Sequence, residues 1–362
     1  MEVILIANEK GGTAKTATAL SLANCLTALG YRVLGVDLDP SGNFSAAALP
    51  EFPDKVLYDV LNGYPLTEAI VHTDICDVLP TIKDLDEALD MGGDEELEIA
   101  DIITQMKERK SLTQLASSWV GKRNAEMLLY SLFWSHKYKL DETYDFIIMD
   151  TAPSDSILLT MAIVAANSVI VPCEPTSASV DGLHMFVASI HATRRCFRTN
   201  VKIDGILFTK YTEDWSTRRR RIEDIQKLAK RTELDIYNTK YRMSASVETS
   251  MNDCQPILNY IYKGTGASDA MNLTLEFLAK RGLEPKISFP GVFRDETGKL
   301  IYRKNGDKYF LVNQSEQGCL AQEKIFRQDY LSEAQWQERL GKTVFTSEAA
   351  LRQAYPDCSI QK

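Results

Sequence analysis

The amino-acid sequence predicts an α/β fold, a mostly parallel doubly wound sheet with a small α+β region appended at its C-terminal end. Three observations predict it. Short apolar runs alternate with helix-period patterns through roughly the first 280 residues, the signature of βα units whose strands are covered on both faces. A glycine-bearing loop separates the first apolar run from the first helix pattern. After about Gly282 the alternation stops, and a hairpin signal and a capping box take its place.

Taken in order, Val3–Ala7 is a continuous apolar run that reads as a buried strand. A helix pattern follows in Leu20, Leu22, Ala23, Leu26 and Leu29, Gly30 closes it, and Arg32–Val36 opens the next run. Further buried strands are expected at Asp77–Leu79, Phe146–Met149, Ser168–Val171 and Ile203–Phe208. Helices are expected at Ile157–Ala166, Val180–Ala192, Ile222–Lys230 and Ala267–Leu278. An acidic helical insertion is expected over about 84–125, its charge concentrated in 84–110. We divide the chain into a large α/β unit over 1–282 and a small extension over 283–362. In that extension Asn305-Gly306 reads as a two-residue hairpin turn within 298–312, and Ser332–Gln335 as a capping box.

Composition narrows the function. The chain has 362 residues with 44% hydrophobic and 25% charged content, which is globular. Its apolar runs are far short of the roughly 18 residues that span a membrane. Residues 1–8 lack a basic leading segment and run straight into the glycine loop, so they read as a strand and not a signal peptide. The seven cysteines form no CxxC pair, which suggests buried thiols in a reduced cytoplasm, with neither a disulfide framework nor a metal site. A net charge of −9 argues against a general nucleic-acid coat and permits a local basic patch.

The segment that carries chemistry is Glu9-Lys10-Gly11-Gly12-Thr13-Ala14-Lys15-Thr16. Binding a phosphate takes converging backbone N–H groups, the positive end of a helix and a mobile cation. Gly11 and Gly12 let the backbone curl around the anion, Lys15 reaches the β and γ phosphates, and the Thr16 hydroxyl is placed for Mg²⁺. Against the standard P-loop pattern, Glu9 stands at the first glycine and Ala14 at the glycine before the lysine. By itself this pattern leaves open a plain glycine turn with two incidental lysines.

Four later segments close that alternative. Val36-Asp37-Leu38-Asp39-Pro40-Ser41-Gly42-Asn43, the Tyr144–Ser154 stretch around Asp150, Ser168–Pro172 with Asp181-Gly182-Leu183, and Ser246–Met251 with Pro256-Ile257 follow in order. With the loop they resemble the ParA/MinD superfamily of deviant Walker A P-loop NTPases, and most of all its ParA partition branch. The resemblance covers about residues 1–280. It implies an ATPase using ATP and Mg²⁺, with Gly11, Gly12, Thr13, Ala14, Lys15, Thr16 and Ala17 around the nucleotide. Thr16 and Asp150 would hold the metal, the latter through water. Asp39 would orient the attacking water, with Asp37 supporting it. Lys10 would reach across a homodimer to the partner's phosphates. Three positions depart from the family: Ala14 for glycine, which a negative φ would tolerate, Ala17 for a threonine, and Ser41 for a glutamine.

The service the ATPase performs is read from its surface. Ser216–Arg221 begins a helix with Ile222, Ile225 and Leu228 on one face, so Arg219, Arg220, Lys227, Lys230 and Arg231 should form an outward basic stripe. Arg194, Arg195 and Arg198 add a second cluster. Resemblance to the family implies sequence-independent DNA binding through such cations, nucleoid association in the cytoplasm, and a ParB-like or cargo adaptor that stimulates hydrolysis. A solvated helix face is the plain alternative. MinD-like membrane positioning and a metabolic ATP-dependent enzyme on the same fold remain as other readings. The segment LRQAYPDCSIQK lacks the apolar moment and basic face of a membrane-surface helix. No helix-turn-helix pattern precedes the loop, which speaks against an autorepressor.

Overall fold

The computed structural model describes residues 1–82, 111–154, 156–211, 218–260, 265–286, 301–305, 308–311, 344–345, 347–354 and 359–361. Its centre is an eight-stranded sheet. The strands are β1 (Glu2–Ile6), β2 (Val33–Leu38), β3 (Val71–His72), β4 (Asp77–Leu79), β5 (Phe146–Thr151), β6 (Ser168–Cys173), β7 (Lys202–Tyr211) and β8 (Ile236–Arg242). Their order is β3-β4-β2-β5-β1-β6-β7-β8, and all neighbours are parallel except β3 against β4. Parallel pairing follows from the helical crossovers, and it places every carboxyl end from β4 to β8 on one edge. β1 stands mid-sheet, with β5 and β6 as its neighbours. The chain leaves it toward β2 on one side, while later crossovers run toward β7 and β8 on the other. A crevice therefore opens at its carboxyl end.

Helices cover both faces. On one lie α1 (Lys15–Ala28), α2 (Asn43–Ala48) and, late in the chain, α11 (Gly266–Lys280). The other carries α3 (Leu57–Leu61), α4 (Leu112–Trp119), α5 (Leu128–Phe133), α6 (Leu140–Thr143), α7 (Ile157–Ala165), α8 (Ser177–Phe197) and α9 (Arg218–Arg231). α10 (Ala245–Asn252) flanks the carboxyl-end crevice. Because strand side chains alternate, Val3, Leu5 and Ala7 enter one core while Ile4 and Ile6 enter the other. Each of these buried Ile, Leu and Val side chains contributes about 1.5–3 kcal/mol of transfer free energy, so β1 is pinned from both sides and the loop after it has a rigid base.

Of the six expected strands, β5, β6 and β7 run two to four residues longer in the structure, β1 is shifted by one residue, β2 starts one residue later and ends two later, and Asp77–Leu79 appears as predicted. Two strands escape the sequence reading. β8 (IYNTKYR) is an edge strand that buries only Tyr237, Thr239 and Tyr241 on one face, so it has no continuous apolar run to betray it. β3 has two residues, too short to show a period. Residues 301–305 (β9) and 308–311 (β10) pair antiparallel, with Asn305 opposite Lys308. Asn305 is thus a paired strand residue and not the first turn residue expected. Val344–Phe345 (β11) and Ser359–Gln361 (β12) complete this second, four-stranded sheet, and Glu348–Ala354 forms α12. The acidic stretch of 84–110 and the Ser332–Gln335 capping box lie outside the described residues. Among the described residues, no helix is long and apolar enough to cross a membrane.

Candidate nucleotide site

The loop between β1 and α1 sits at the carboxyl edge of the sheet. α1 begins at Lys15 with no side chain capping its first turn and no acidic residue in it. Its first N–H groups and positive dipole end are therefore available to an anion. Gly12 takes φ +74°, a left-handed backbone that turns the loop around the phosphate position. Thr209 Oγ1 donates to Thr13 O at 2.9 Å and ties the loop to β7, while Asn8 Nδ2 donates to Pro172 O at 2.8 Å and ties it to β6.

Ala14 also takes the left-handed region, at φ 62° and ψ 35°. This corrects the expectation of a negative φ there: the glycine's place in the turn demands αL whatever residue fills it. An L-residue in that region costs roughly 1–2 kcal/mol. Ala14→Gly should therefore raise the melting temperature by about 1–3 °C once glycine's extra freedom in the unfolded chain is subtracted. Differential scanning fluorimetry of the nucleotide-free protein checks this, and a fall in melting temperature would contradict it.

The acidic half of the site is made by sheet register. Asp37 and Asp150 are paired neighbours on β2 and β5, and both are fully buried. Asp37 is spent on the protein itself. Its carboxylate accepts from Asp39 N at 3.0 Å, Ser45 N at 2.8 Å and Ser45 Oγ at 2.7 Å, which shapes the loop that presents Asp39. Burial still pushes Asp37 up to about 7. Asp150 is different. Both its oxygens are buried without a hydrogen-bond partner of good geometry. Burial first, and Asp37 second, drive its pKa well above the usual carboxylate range, with Thr16 and Lys15 opposing. An orphaned carboxylate below a threonine hydroxyl is what a divalent cation with retained waters would satisfy. The residues fit Mg²⁺.

Lys15 is buried at the cleft floor, and its ammonium donates to Lys10 O at 3.2 Å. Burial lowers its pKa, while Asp150 and Asp39 act to raise it. Asp39 is nearly buried, lines the cleft, and holds Ser41 N through Oδ1 at 2.9 Å. The cleft has a volume of about 990 Å³ and runs from Gly12–Ala17 and Asp39 to a far wall of Tyr241–Ala245 and α10. Phosphates at the loop would put the base against that wall. Two features of this cavity were not read from sequence: the part of the wall made by Arg242, the last residue of the missed strand β8, and Met243 just after it, and Lys210 near the end of β7.

Other predicted residues lie elsewhere. Lys10 is not directed into the cleft. Its ammonium donates to Thr176 Oγ1 at 2.6 Å and Ser179 Oγ at 3.1 Å, at the start of α8 of the same chain. Arg219, Arg220, Lys227 and Lys230 stand on the exposed face of α9, with Ile222 and Ile225 buried beneath.

A parallel sheet with an uncapped helix behind a glycine turn, a buried lysine and a cation-ready aspartate defines a P-loop ATPase that takes ATP with magnesium. Residues 1–203 match the AAA domain family. The chain is 32% identical over 209 residues to the chromosome-partitioning ATPase Soj of Thermus thermophilus, covering 58% of this chain and 69% of that relative. It is 26% identical over 285 residues to the chromosome partitioning protein ParA of Caulobacter vibrioides, covering 77% of this chain and 95% of that one. Among solved structures, cobyrinic acid a,c-diamide synthase from Mycobacterium smegmatis with bound ADP and magnesium superposes with a TM-score of 0.54 at 25% identity, covering 74% of this chain and 97% of that chain. The chain belongs to the ParA family of partition ATPases, within the ParA/MinD superfamily.

Proposed function

We propose that this protein is an ATP-dependent, dimerising switch that binds DNA without sequence preference in the ATP state, serves partition of DNA or positioning of cargo, and is released when an adaptor protein stimulates hydrolysis. The observation that carries the DNA step is the exposed cationic surface of α9, a helix that packs against α8; Arg195 in the last turn of α8 and Arg198 just past it are exposed as well. Arg219, Arg221 and Lys227 are paired to Glu223 and Asp224 on the same helix. Such exposed pairs are worth about 0–1 kcal/mol each, so exchange for a DNA phosphate costs little. The superposed synthase shows that the fold also serves metabolic chemistry, and fold alone does not choose. The partition relatives support the switch reading.

Within the site, Lys15 neutralises the β and γ phosphates, Asp39 holds the attacking water in line, and Asp37 with Ser45 keeps the Asp39 loop in place. Thr16 and Asp150 would hold Mg²⁺, which would offset phosphate charge when bound. The Lys10 ammonium, docked on two neutral hydroxyls in the free chain, is exchanged to the partner's phosphates in the dimer, where a charged acceptor makes the stronger bond.

DNA retention on filters with saturating ATP tests this reading. The unmodified protein should retain duplex DNA only with ATP, and the double variant Arg219→Glu, Arg220→Glu should bind more weakly across all sequences. Two lost phosphate contacts should flatten the slope of log affinity against log salt by about 1.8. If the unmodified protein retains no DNA, the DNA step is withdrawn in favour of a membrane or metabolic role.

A further inference from the structure

Lys210 is a cleft residue that no motif accounts for. In the register between β7 and β8, Thr209 stands opposite Tyr241 and Tyr211 opposite Arg242, with an irregularity between them. Lys210 is the extra residue of that bulge, and a bulge re-aims one side chain out of the pleat. Its backbone is left-handed at φ 48°. For a residue with a Cβ this costs roughly 1–2 kcal/mol, and it persists only where neighbours over-determine it. Thr209, tied to Thr13 O, supplies that restraint on one side. Among the described residues, seven non-glycine residues have positive φ, and two of them, Ala14 and Lys210, line this cleft.

The bulge delivers charge to a particular place. The Lys210 ammonium lies 3.8 Å from where a Cβ on Gly12 would be, over the outer turn of the phosphate loop. Lys15 lies on the other side, beside Asp150 and Asp39. We propose that Lys210 is a second cation of the nucleotide site, contacting the polyphosphate of ATP from the β7 side of the loop while Lys15 contacts it from the β5 side. The proposal rests on the ATP site described above. Held on a strained strand end, this cation is pre-organised, whereas a lysine on a mobile loop would have to be ordered on binding.

Calorimetric titration with Mg–ATP and with Mg–tripolyphosphate, which has no base, tests the proposal. Lys210→Asn removes the charge and keeps a residue that tolerates the left-handed backbone. It should weaken both ligands about tenfold, as for one lost hydrogen bond between charged groups, and flatten the salt dependence of binding. Lys210→Arg should restore affinity to within about threefold of the original protein. A purely structural lysine would lower the melting temperature of the nucleotide-free protein and leave the salt dependence of tripolyphosphate binding unchanged, and that result overturns the proposal. Unchanged affinity of Lys210→Asn for both ligands overturns it too, leaving the ATP site intact. If the unmodified protein binds neither ligand, both readings fall together.

Discussion

Lys15→Ala should abolish measurable ATP binding. The ammonium is buried at the floor of the cleft, between the phosphate loop and the carboxylates of Asp150 and Asp39. Removing it takes away the cation that faces the β and γ phosphates. It also leaves those phosphates confronting two carboxylates across a poorly solvated gap. Breaking such a buried charge pair costs about 3–5 kcal/mol, a loss of roughly 10²–10³ in affinity or more. Lys210 approaches from the Gly12 side and cannot stand in for it. Calorimetry should record no binding heat at nucleotide concentrations that saturate the unmodified protein. Unchanged affinity would show that the phosphates sit elsewhere.

Asp39→Ala should separate binding from turnover. Asp39 lines the cleft, while Asp37, two residues earlier, has its carboxylate occupied by three donors and is unavailable to orient water. Loss of a positioned water-polarising group typically slows the chemical step by about 10²–10⁴. ATP affinity should remain within about threefold, since Lys15, Thr16 and Asp150 are untouched. Asp39 Oδ1 also holds Ser41 N, so the loop itself is at risk in the alanine variant. Asp39→Asn keeps that acceptor and should show the same loss of turnover. Phosphate release at the unmodified rate in both variants would move the water-orienting role elsewhere in the cleft.

The metal site shows where reading a sequence stops. Thr16 is legible because it follows Lys15 at fixed spacing in a loop whose shape is local. Asp150 is legible as a carboxylate at the end of an apolar run. That Asp150 lies beside Asp37, and is left without a partner while Asp37 is saturated, depends on the pairing of β2 with β5 across more than a hundred residues of chain. No local pattern encodes that register. The same holds for Ser45, an unremarkable residue of a short helix that proves to hold the Asp39 loop.

The sequence by itself determined the class of this protein: a phosphate loop after a buried strand, aspartates at the ends of two further strands, and enough alternating units to build a doubly wound sheet. Those features are written in periods of two and 3.6 residues and in loop spacings, so they survive in one dimension. Only the tertiary structure decided the far wall of the cleft, the left-handed backbone of Ala14, the docking of Lys10 on α8 and the aim of Lys210 over the loop. Ala14 is held by the turn of its own loop; the others are set by which strands become neighbours and by how one strand slips against the next. A one-residue irregularity between β7 and β8 is enough to turn a lysine from the pleat of a strand toward the phosphate loop.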